Sequence, residues 1–164
     1  MPPLRLGKVP SGLGTADLFL TISDDDRPVF RVDLYGYCCE ESYTFQDALV
    51  WSDRVFVGYG HRVYIIDPSR QSATEIFLDE IGEGLGYFGH FYTGEDYLLV
   101  ASGDSLLRLL ADGKVLWSAP NLGLDGVVVT SVRNGTIQGD GEWDPPGGWK
   151  PFALRLDSGA LIAG

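Results

Sequence analysis

A ten-residue phrase occurs twice in this chain and constrains its fold more than any bulk property. Val57–Ile66, VGYGHRVYII, aligns with Val100–Leu109, VASGDSLLRL, after a shift of about 43 residues, and the phrase returns with an insertion between Ile137 and Leu156. A unit of strand, glycine turn and strand repeated at that period marks stacked four-stranded β-sheets of the propeller kind. Apolar residues elsewhere recur at period two or in short β-branched and aromatic runs, punctuated by Gly, Asp, Asn and Pro. No long apolar stripe of helical period is present.

The expectation is therefore an all-β chain, a propeller-like stack of about three four-stranded antiparallel sheets plus an N-terminal hairpin, with a β-sandwich as the alternative. It forms one domain over residues 1–164, with a hairpin and loop over 17–44 and repeats over 45–80, 87–120 and 126–164. The predicted strands are Ala48–Trp51, Arg54–Gly58, Arg62–Ile66 and Thr74–Leu78 in the first repeat. They are Gly89–Thr93, Tyr97–Ala101, Ser105–Leu110 and Val115–Ser118 in the second. The third has Val127–Val132, Thr136–Gly139, Pro151–Leu156 and Ala160–Ile162. Asp112-Gly113 closes a two-residue hairpin, and Asn134-Gly135 reads as a hairpin turn rather than a glycosylation site. Closed propellers have at least four blades. Three repeats and a hairpin leave a shortened fourth blade, an open stack or closure through a partner chain.

The segment Leu98–Leu109 followed by Asp112–Trp117 resembles a blade of the quinoprotein-type (PQQ-like) β-propeller repeat, which runs apolar strand, Gly turn, apolar strand, and Gly turn into a strand ending in Trp. Phe152–Leu161 resembles the second half of the same unit. The resemblance implies stacked four-stranded blades. Leu110 stands where the repeat usually has Asp, only one repeat ends in Trp, and the repeats fall short of the family's blade number. The quinone cofactor is not carried over, and no cofactor is expected.

Charge supplies the next constraint. Twenty-three acids oppose twelve bases, for a net charge of −11. Such a field repels nucleic acid and anionic membranes and speeds encounter with a basic protein. The adjacent pair Cys38-Cys39 accounts for both cysteines, which fits free thiols in a reducing compartment. With no apolar leader and no long apolar run, a cytoplasmic protein is expected. The oligomeric state is left open.

The most distinctive candidate site is the segment Asp140–Lys150 (DGEWDPPGGWK), which interrupts the inner hairpin of the third repeat and is longer than the turns of the other two by about eight residues. Insertions into repeats tend to become loops on a binding face. Trp143 and Trp149 offer rigid contact area, while Asp140, Glu142 and Asp144 suit a cationic or hydroxyl-bearing group. Tyr35, Tyr37 and Tyr43 form a second, tyrosine-rich candidate. Each set reads equally as packing for the sheet's own core.

Other motifs carry little. Asp24-Asp25-Asp26 lacks the ligand spacing of a calcium loop. Gly84–Gly89 matches a dinucleotide fingerprint by letter, but a strand follows it where a helix is required. His61 and His90 lack the spacing of a zinc site, and no metal is expected. No catalytic residue is assigned, though either histidine beside a carboxylate is the pair an enzyme would use. Four readings follow from these features. The first is a non-catalytic interaction domain for a basic protein, in concrete form a bacterial inhibitor or immunity-type protein. The second is a sugar-like ligand site on the Trp143/Trp149 loop. The third is an enzyme using His61 or His90 with a carboxylate, and the fourth is a structural unit that closes its sheets by oligomerising.

Overall fold

The computed structural model describes residues 2–12, 14–25, 27–36, 45–81, 86–144 and 147–162. These residues are all-β apart from one 3-10 turn, Leu78–Glu80. β1 (Leu4–Gly7), β2 (Leu18–Asp24) and β3 (Arg27–Tyr35) form the first sheet, in the order β1-β3-β2. β4 (Gln46–Trp51), β5 (Arg54–Tyr59), β6 (Arg62–Asp67) and β7 (Ser72–Phe77) form the second as a plain meander. β8 (Phe88–Thr93), β9 (Leu98–Ser102), β10 (Leu106–Leu109) and β11 (Val115–Ala119) repeat that meander in the third. β12 (Val127–Arg133), β13 (Thr136–Trp143) and β14 (Gly148–Arg155) form the fourth. Pairing is antiparallel except that β1 runs parallel to β3.

Side-chain alternation explains how these sheets are held. In β5, Val55 and Val57 face the first sheet, where they meet Ile22, Phe30, Val32 and Leu34. Phe56 points the other way, into a cluster with Val63, Ile65, Phe88, Leu98, Val100 and Leu107 that joins the second sheet to the third. Leu99 and Ala101, alternating with Leu98 and Val100, reach Val127, Val129, Ile137 and Leu154 of the fourth. Three apolar clusters thus bind successive sheets. Covering on both faces accounts for the unbroken buried runs Arg62–Ile66 and Leu98–Ser102. No sheet closes into a barrel, and among the described residues no core cluster joins the first sheet to the fourth.

Turn chemistry sets the registers. Ser52 and Asp53 both have positive φ, as do Asn134 and Gly135, which gives two-residue hairpins between Trp51 and Arg54 and between Arg133 and Thr136. Gly60 and Gly103 occupy the same topological turn, between the second and third strands of their sheets. Gly60 alone of the two has a positive φ. Asp112-Gly113 belongs to a longer loop than expected. Leu110 N–H donates to the Lys114 carbonyl and Gly113 N–H to the Leu110 carbonyl, so three residues turn, with Gly113 at φ +86°.

Two further differences from the expected strands concern the ends of the chain. β1 was not expected, because a four-residue segment has too few alternating apolar residues, here Leu4 and Leu6, to register as a strand. In the fourth sheet, Ala160–Ile162 makes only a bridge from Leu161 to Leu154 and is not a full strand. The first and last sheets are therefore three-stranded, where a hairpin and a third four-stranded sheet were expected.

Candidate functional site

Most of the described inserted residues lie in strands rather than in a loop. β13 and β14 pair without interruption from Thr136↔Arg155 to Trp143↔Gly148, so the insertion lengthens a hairpin whose turn begins at Asp144. Asp144 is exposed there, and its carbonyl accepts the Gly147 N–H at 2.7 Å. Alternation along a strand then separates the two tryptophans. Trp149 stands opposite Glu142, whereas Trp143 stands opposite Gly148, so the two indoles occupy opposite faces of one ribbon. Trp143 is half-buried with Lys150 Nζ 5.3 Å from its ring centroid, beside Leu122, Pro151 and Phe152. Trp149 remains half-exposed at 51%. The five inserted candidates therefore do not make one site.

Trp149 and Glu142 instead join residues from two other sheets. They line a cleft of about 140 Å³ with Phe45, Tyr87, His90 and Asp125. Phe45 immediately precedes β4, Tyr87 precedes β8 and Asp125 lies two residues before β12, so the cleft gathers the starts of three successive sheets. Phe45 and His90 pack ring to ring at 4.9 Å. Tyr87 Oη donates to the Asp125 carbonyl at 2.5 Å and lies 3.1 Å from Asp125 Oδ1. The segment carrying Asp125 is pinned to β13, because Leu124 N–H donates to the Glu142 carbonyl and Glu142 N–H to the Gly126 carbonyl.

This cleft is acidic. Among the described residues no ion pair joins Asp125 or Glu142 to a base. Buried Asp104 adds charge from below. Its Oδ1 accepts from Ser102 Oγ and Ser105 Oγ, while its Oδ2 has no hydrogen-bond partner among the described residues. Burial, then Asp125, then Glu142 and Asp104 push the Tyr87 hydroxyl well above the ordinary tyrosine range. The neutral phenol is thus favoured in the folded chain. An unfolded tyrosine ionises at about pH 10. Above that pH the unfolded chain gives up a proton that the native chain keeps, so this group makes stability fall as pH rises. In Tyr87→Phe the unfolding free energy is expected to decline less steeply above about pH 10 than in the parent. Equal slopes in urea titrations would show that the hydroxyl does not feel these acids.

The remaining sequence candidates lie elsewhere. Tyr35 is buried at 6% at the end of β3, so it packs the first sheet and offers no contact surface. Tyr37 and Tyr43 lie outside the described residues, as do Cys38 and Cys39. His61 Nδ1 lies 3.0 Å from Asp79 Oδ1 on the surface, and no group of three or more metal-binding side chains occurs among the described residues. Among the described residues no helix is long and apolar enough to cross a membrane.

Sequence reasoning missed Phe45, Tyr87, His90 and Asp125 as members of one site. A usable signal was present, since the repeats expected from the sequence begin at residues 45, 87 and 126, and repeated units would place equivalent positions side by side. Comparison with known proteins finds no family model that matches the chain and no curated protein similar to it.

Proposed function

We propose that this chain is a non-catalytic interaction domain of propeller-like build, whose acidic aromatic cleft receives a cationic side chain of a basic partner protein. One observation carries the reading. Glu142 and Asp125 lie with Trp149, Tyr87 and Phe45 in a space of about 140 Å³, with no base paired to either acid among the described residues. A guanidinium or ammonium group fits that volume, gains charge-assisted hydrogen bonds and stacks on an aromatic face. The net charge of −11 supports the choice of partner, because it speeds encounter with a positive surface. A concrete form is a bacterial inhibitor or immunity-type protein that masks a positively charged toxin or nuclease in the cytoplasm.

The cleft is small for a metabolite, since ligand pockets usually span roughly 300–1,000 Å³. Trp143 and Trp149 stand on opposite faces of the ribbon, so a sugar would stack on one of them alone. The test is a titration with an arginine-rich peptide read by tryptophan emission in a Trp143→Phe background. Saturable, salt-sensitive binding is expected, weakened about tenfold or more by Trp149→Ala and by Glu142→Gln. Absence of binding at low salt, or equal affinity in all three chains, rules the reading out.

A further inference from the structure

The two ends of the sheet stack differ in charge and shape, and they match each other. The outer face of the first sheet presents Arg5, Phe19, Thr21 and Arg31, because Leu4, Leu20, Ile22, Phe30 and Val32 point inward. Phe19 is 61% exposed and stands out from this face, with the Arg31 guanidinium 4.4 Å from its ring centroid. Asp33, tied to Arg31 Nε at 2.5 Å and opposite Arg5 in register, is the buried acid between two arginines. Residues 1–36 carry four bases against five acids, whereas the rest carries eight against eighteen. The net −11 therefore divides as −1 and −10, leaving the first sheet nearly neutral with a cationic outer face.

At the other end, Ile137, Gly139 and Gly141 point inward and leave Gln138 and Asp140 on the outer face of the fourth sheet. That face holds a shallow depression of about 490 Å³, floored by Thr130, Pro151 and Ala153 and flanked by Leu161 and Ile162. Leu161 is 68% exposed, a large aliphatic side chain left in water. Asp140 stands in the depression with no ion pair among the described residues.

We propose that this depression is filled by a second copy of the chain, with Phe19 of that copy seated against Leu161 and Ile162 and its Arg31 facing Asp140. The occupant is argued from complementarity. An aromatic knob bearing a cation meets an apolar depression bearing an acid, and the contact continues the sheet-on-sheet order already made three times within the chain. Such an interface is heterologous, joining two different faces, so copies add head to tail, in a ring where the rotation between neighbours closes and in an open array where it does not. This surface is separate from the cleft around Trp149, and either can fail without the other.

Sedimentation equilibrium of the full chain should show a mass rising with concentration from 17.9 kDa to at least twice that value. Arg31→Glu and Asp140→Lys should each weaken association about tenfold or more. Asp140→Lys should leave the circular dichroism and melting curve of the monomer unchanged, whereas Arg31→Glu, which takes the partner from buried Asp33, should keep the circular dichroism and lower the melting temperature. An equimolar mixture of the two variants should associate again, because reversed charges then face each other across one interface. A parent that stays monomeric at every concentration overturns the proposal, as does association that survives either single reversal. Failure of the mixture to recover also overturns it. Phe19→Ser, a change at an exposed side chain, gives a second arm. It should weaken association without touching the charges, and an unchanged mass profile counts against the contact.

Discussion

Gly58→Ala is expected to cost about 1–3 kcal/mol in the parent chain and almost nothing once Phe88 has been cut back to alanine. Gly58 lies in β5 and is buried, and a Cβ built on it would stand 2.2 Å from the Phe88 ring. Phe88 is fully buried, packs on Phe91 at 4.7 Å and donates its backbone N–H to the Gly60 carbonyl at 2.7 Å. The glycine is thus the space in the second sheet that an aromatic ring of the third sheet fills. Phe88→Ala alone should lose about 3–5 kcal/mol, as expected for truncating a buried aromatic in a close-packed core. In the double variant the new methyl enters the vacated volume, so the two costs do not add. Urea unfolding of the four chains measures the cycle. Additive losses would mean that the ring and the glycine do not share space, and the stacking of these two sheets would have to be redrawn.

Gly141→Ala should act on both fold and cleft. A Cβ at this position would fall 1.7 Å from the Leu122 carbonyl oxygen, a backbone atom that cannot swing aside as a side chain would. The segment from Leu122 to Gly126 is held from both sides, by Leu122 N–H on the Asp104 carbonyl at 2.8 Å and by the Glu142 backbone. A displaced segment leaves Asp125 and its contact with Tyr87 behind. The expected loss is about 1–3 kcal/mol, the usual cost of forcing a group into a filled site. The alkaline decline in stability should also become shallower, as in Tyr87→Phe. A chain unchanged in both measurements would show that Leu122 does not rest on this glycine.

Much of the architecture was legible because local signals and burial agreed. β5, β6 and β8 to β11 fall within a residue or two of their expected positions, since each has an apolar run bounded by a glycine or aspartate turn. Two errors have physical causes. β1 is short, and it earns its place by pairing with β3, a partner distant in sequence that no local window shows. Asp140–Lys150 looked like a loop because Gly, Pro and Asp crowd it. Continuous pairing overrode composition there, with Glu142 on Trp149 and Asp140 on Pro151. Once β13 and β14 were continuous, strict alternation had to divide the two indoles. The cleft itself was illegible for another reason. Phe45, His90, Asp125 and Trp149 are separated by tens of residues, and only the side-by-side order of sheets brings them together.

That order has a mechanical consequence. Among the described residues the apolar core of each layer joins it only to the one before and the one after, so damage does not spread evenly. Loss of either terminal layer strips one flank and leaves the rest seated. A lesion between the second and third layers cuts the molecule into two pairs, each left with a bare greasy flank, and makes the Phe56–Phe88 seam the joint on which the whole chain's integrity turns.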